Sequence, residues 1–70
     1  LDEAIAEYRR SLALAPGKAA VHQALGTVLV ARGSREEAVA ELKRAATLDP
    51  ENPEIRSDLA ALLGGTRLRP

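Results

Sequence analysis

An all-α fold, with helical hairpins stacked into an α-α superhelix, is what this sequence predicts, and three observations carry it. Apolar residues recur at three- and four-residue intervals in four separate stretches, the signature of helices that bury one side. The breaks between them are short and made of proline, glycine and capping residues, which leaves antiparallel neighbours as the simple arrangement. The chain also matches itself at an offset of 34 residues, a period that signals stacked two-helix units.

The first helix is expected over 2–15. Ile5, Tyr8, Leu12 and Ala15 fall on one side of it, Asp2 and Glu3 suit the positive end of the helix dipole, and Glu7 and Arg10 are spaced to pair on the wet side. Pro16-Gly17 stops it, because proline lacks the donor the ladder needs and disfavours helical geometry in the residue before it. A second helix follows over 18–32 with Val21, Leu25, Val28 and Leu29 as its stripe. Gly26 in its middle costs about 1 kcal/mol of helix propensity relative to alanine, so it points to close approach of another helix. Gly33 is a left-handed stop, and Ser34 with Glu37 reads as a capping box, giving a two-residue hairpin. The third helix spans 35–48, with Ala38, Val39, Leu42, Ala45 and Leu48 facing inward and Glu41 and Arg44 repeating the earlier ion pair. Asp49-Pro50 closes it. Asn52 caps a fourth helix over 53–63, with Pro53 at its first position, where a missing N–H does no harm. Ile55, Leu59, Leu62 and Leu63 line that helix, Gly64-Gly65 ends it, and 66–70 is left as a tail with two solvated arginines.

The offset match is detailed. Glu3 falls on Glu37, Ala4 on Ala38, Glu7 on Glu41, Arg10 on Arg44, Leu14 on Leu48, Pro16 on Pro50 and Leu25 on Leu59. Ile5 with Val39, Tyr8 with Leu42 and Val21 with Ile55 are conservative matches. The complete unit is 19–52; before it stands the second half of a unit (1–16) and after it a first half (53–63), all within one domain over 1–65.

These residues resemble the tetratricopeptide repeat. The family's pattern falls in the central unit at His22, Leu25, Gly26, Leu29, Ala38, Leu42, Ala45 and Pro50. His22 stands where the family has tryptophan and Leu42 where it has an aromatic, which survives one unit earlier as Tyr8, beside Ala4. The resemblance implies that Gly26, Ala38 and Ala45 let helix axes approach while leucines fill the gaps. Helical pairs of this kind need neighbours. The first helix lacks its own antiparallel partner, so part of its face, including Ile5, Tyr8 and Leu12, is expected to be uncovered and open to more protein or to self-association.

Composition narrows the function. The chain has 70 residues and no cysteine, so it is one small unit without disulfides or thiolate-metal clusters, with a stability of roughly 3–5 kcal/mol. Ten basic residues balance ten acidic ones, which argues against nucleic acid, where a net basic patch is needed. No run approaches the ~20 apolar residues that span a bilayer. Leu1 is not a start methionine and falls inside a helical pattern, so the sequence reads as part of a longer parent. A cytoplasmic setting is expected, and the excess of arginine over lysine together with abundant alanine points to a bacterial source.

No catalytic constellation is present. His22 is the one histidine, without a second histidine or a cysteine to share a metal, and it sits at a packing position. Glu36-Glu37 and the pair Glu54 and Asp58 are the nearest approach to an acid–base couple; on helix surfaces they read as solvated or dipole-compensating groups. Neither phosphate-cradling glycine motif occurs. No enzyme activity, cofactor or metal is therefore expected.

What remains is recognition. The resemblance implies that the first helix of each pair lines a concave groove for an extended peptide or a helix. Here that groove presents Gln23, Thr27 and Val30, with Ala20, Ala24 and Ala31, and on the fourth helix Glu54, Ser57 and Asp58, with Ala61. Some family members grip a peptide's terminal carboxylate with lysine, asparagine and arginine; the matching positions here are Gln23, Ala24, Thr27, Glu54 and Asp58, so that clamp is missing. A groove ligand should be neutral or basic near Asp58. The expected function is a protein-interaction scaffold module; the alternatives are a non-catalytic appendage of a larger bacterial enzyme, such as a glycosyl- or sulfotransferase, and a self-associating structural module.

Overall fold

The computed structural model describes residues 1–64. Among these, the elements are α1 (Asp2–Leu14), α2 (Ala19–Arg32), α3 (Arg35–Leu48) and α4 (Pro53–Gly64), with no strand. Each helix packs on its neighbour in sequence, and the α2–α3 hairpin is the tightest pairing. The all-α hairpin architecture read from the sequence is the one observed, and helix ends differ from the expected ones by a single residue. Gly64 is the last residue of α4 rather than its stop; Gly65 and the tail over 66–70, with its arginines, lie outside the described residues.

The repeat is written into the backbone. α1 and α3 end 34 residues apart, and so do the starts of α2 and α4. The residue that closes α1, Ala15, has φ −144° and ψ 80°; the one that closes α3, Asp49, has φ −140° and ψ 72°. Both precede proline, whose ring pushes the preceding residue into extended geometry. Both donate their N–H to the carbonyl four residues back, at 2.9 Å. Arg10 meets Glu7 and Arg44 meets Glu41 at the same 3.2 Å.

The core runs through all four helices. Ile5, Leu25, Leu29, Ala38, Leu42, Ala45 and Ile55 are buried, with Tyr8, Leu12, Val28 and Leu62 packed against them. Gly26 sits where α2 presses on α3. A Cβ built on it would lie 2.9 Å from Leu42 Cγ and 3.4 Å from the Ala38 carbonyl oxygen. Carbon atoms prefer about 3.5–4.0 Å, so no side chain fits there without displacing Leu42.

Four expectations need correction. Leu48 and Leu63 were placed on inward faces, but they are 45% and 52% exposed. The buried arc of α3 is Ala38, Leu42 and Ala45; at 3.6 residues per turn Leu48 lies about 90° round from its middle. Leu63 is displaced similarly, by about 70°, from the arc of Ile55, Leu59 and Leu62. The capping box is absent too. Ser34 makes no side-chain cap bond to α3. Its N–H instead donates to the Leu29 carbonyl at 2.8 Å while that of Gly33 donates to Val30 at 3.0 Å, the paired bonds of a Schellman motif, with Gly33 at φ 95°. Glu37 turns to Arg9 on α1, at 3.6 Å. Finally, the α1 face is not left open. Ile5 is 5% exposed, and Tyr8 and Leu12 are half-buried on the core, because α1 packs its stripe on α2 of the next unit. Asn52 does cap α4: its Oδ1 accepts the N–H groups of Glu54 and Ile55 at 2.8 and 3.2 Å.

Candidate binding surface

The equal starts of α2 and α4 bring the same side of two successive units together. Gln23, Thr27 and Val30 recur at four- and three-residue steps along α2, which keeps them on one side of the helix. Glu54, Ser57, Asp58 and Ala61 do the same on α4. The two helices meet where the Gln23 side-chain amide donates to Asp58 Oδ2 at 3.3 Å. The six residues singled out in the sequence border two neighbouring concavities between α2 and α4 that share Asp58.

The two concavities differ. One, of about 370 Å³, is lined by Gln23, Pro53, Glu54, Ser57 and Asp58 and is about half polar. The other, of about 220 Å³, is lined by Thr27, Val30, Leu42, Asp58, Ala61 and Leu62 and is mainly apolar. Asp58 borders both. The Thr27 hydroxyl donates to the Gln23 carbonyl of its own helix at 3.1 Å. Val30 is 44% exposed at the rim. Sequence reasoning assigned Leu42 and Leu62 to packing alone, yet both form part of the apolar cavity; Pro53 likewise lines the polar one. Nothing in helical spacing separates a core leucine from one whose far edge reaches a groove.

The residues assigned to repeat packing are placed as follows. Leu25, Gly26, Leu29, Ala38, Leu42 and Ala45 are buried, Ala4 and Tyr8 are half-buried, and Pro50 is exposed in the α3–α4 turn. His22 is buried at the foot of α2. Its Nδ1 lies 2.7 Å from Glu41 Oε1 and its Nε2 lies 2.9 Å from the Pro16 carbonyl oxygen. Both partners are acceptors, so the ring satisfies both when each nitrogen carries a proton. The histidine thereby ties α2 to α3 and to the α1–α2 turn, and both nitrogens are engaged in that structural role.

A third concavity, of about 340 Å³, lies beside this histidine, between the α1–α2 turn and the last turns of α3. A fourth follows the α2–α3 hairpin over Gly33, Ser34, Arg35, Glu36 and Glu37; both glutamates are exposed, and Glu37 meets Arg9. Among the described residues no group of histidine, cysteine or carboxylate side chains could hold a metal ion. No helix among them is long and apolar enough to cross a membrane.

No curated protein matches this chain. A family model described as TPR repeat matches residues 26–65, from the close-packed glycine of α2 to the end of α4. That span is more than half of the 70-residue sequence; it takes in the second half of α2 from Gly26 and all of α3 and α4. Repeats of this kind are in general non-catalytic modules for protein–protein interaction, and the chain belongs to the tetratricopeptide-repeat family.

Proposed function

We propose that this chain acts as an interaction scaffold whose α2–α4 face holds an extended segment or a helix of a partner protein. The observation that carries the reading is the groove itself: two units present a continuous row of side chains, joined by the Gln23–Asp58 hydrogen bond, with cavities that open to solvent on either side of Asp58. A concave strip with a few polar groups on an apolar floor is what recognition of a peptide uses. Catalysis by any larger protein that carries this module is performed elsewhere. Self-association through α1 cannot use Ile5, which is buried; Tyr8 and Leu12 are half-buried and Leu14 is 83% exposed.

Photo-cross-linking tests the reading. A benzoylphenylalanine at position 57, in the groove, should yield adducts with partner proteins in cells, and one at position 10, on the exposed side of α1, should not. Adducts at position 10 with none at position 57 would contradict it.

A further inference from the structure

We infer that the groove selects an extended segment in which a basic side chain stands two residues from a medium-sized apolar one. This rests on the α2–α4 face being the binding surface and adds what that surface chooses. The apolar cavity, at about 220 Å³, is below the roughly 300 Å³ of a drug-sized site; it takes one aliphatic side chain. Its walls are Val30, Leu42, Ala61 and Leu62 with the Thr27 side chain, and Asp58 stands at its border with the next cavity. The neighbouring cavity carries the carboxylates of Glu54 and Asp58.

Among the described residues neither cavity is lined by lysine or arginine. The Arg35 guanidinium is turned to the Leu62 backbone carbonyl, where it donates. Gln23 reaches Asp58 as a neutral donor. The negative charge of the polar cavity is therefore left for a ligand to meet, and a partly desolvated carboxylate beside an apolar wall discriminates strongly against a like charge.

The spacing follows from the helix. Glu54, Ser57 and Asp58 line the first cavity and Asp58, Ala61 and Leu62 the second, a shift of four residues along α4. At 1.5 Å per residue that is about 6 Å. Side chains on the same side of an extended chain recur every second residue, about 6.6 Å apart. One side chain per cavity thus fixes the separation at two residues, and a longer spacer cannot fill both.

Backbone NMR of the protein, titrated with short serine-rich peptides, tests this. The panel is Leu-Ser-Lys, its Lys→Glu and Leu→Ser forms, and a form with three more serines between leucine and lysine. The Leu-Ser-Lys peptide should shift the amides of Thr27, Val30, Ser57 and Ala61. Each altered peptide should bind about fivefold or more weakly, and Asp58→Asn together with Glu54→Gln should erase the preference for lysine over glutamate. Binding on this face without regard to charge or spacing overturns the inference and leaves the binding surface standing. If no peptide of any charge moves these resonances, the reading of the surface falls as well.

Discussion

Replacing Gly26 by alanine sets two effects of known size against each other. Alanine in a helix interior is favoured over glycine by about 1 kcal/mol. Against this, the new Cβ would stand 2.9 Å from Leu42 Cγ and 3.3 Å from its Cδ2. Leu42 is 1% exposed and packed on the core, so its branch point moves only by shifting toward the cavity it borders or by parting the helices. Forced overpacking of this kind costs about 1–3 kcal/mol. The net expectation for Gly26→Ala is a loss of about 1 kcal/mol, which in a chain this short lowers Tm by about 4–8 °C. Urea titration followed by circular dichroism measures it. The decisive comparison is the same substitution in a Leu42→Ala background, where the clash has no partner and alanine should stabilise by up to about 1 kcal/mol. Because Leu42→Ala alone costs about 2–5 kcal/mol, the cycle is run in an osmolyte that strengthens burial. Gly26→Ala more stable than the parent, or equally damaging with and without Leu42, would refute the close-contact argument.

Five further substitutions have expected outcomes in the same assay. Asn52→Ala removes the acceptor for two N–H groups at the start of α4 and should cost about 1 kcal/mol. Gly33→Ala places a side chain at φ 95° and should cost about 1–2 kcal/mol, whereas Gly17→Ala, with nothing within 4 Å of its Cβ, should be neutral or slightly stabilising. His22→Ala leaves Glu41 and the Pro16 carbonyl without their buried donor and should cost about 2 kcal/mol or more; Arg44→Ala, on a side chain 64% exposed, should change stability by about 0.5 kcal/mol or less.

Local chemistry was legible in the sequence wherever one residue dictates its own geometry. Pro16 and Pro50 set the closing angles before them, Gly33 the hairpin, Asn52 the cap of α4, and Gly26 the close approach of α3. Legibility failed where two local options compete or where a helix face is wider than its apolar stripe. Ser34 can cap α3 or close α2, and here its N–H closes α2 on the Leu29 carbonyl, beside the Gly33 bond to Val30, while its side chain makes no cap. A three-and-four pattern drifts round the helix, so Leu48 and Leu63 match the spacing yet fall off the buried arc. The covering of Ile5 by α2 depends on how successive units pack, which the pattern of α1 alone does not contain. The groove residues could be placed on one side of α2 and α4 by register, but the apolar cavity depends on the volumes of Leu42 and Leu62, which approach from other sides of their helices.

The account depends on α2 and α4 lying side by side in successive units, so that they share one outer face. The chain contains no cysteine, which allows a single nitroxide to be attached through Ser57→Cys. Paramagnetic broadening should then erase the amide signals of Gln23 and Thr27 on α2 and spare those of Glu7 and Arg10 on α1. Sharp signals at Gln23 and Thr27 in a protein that remains helical would contradict the shared face and the binding surface built on it.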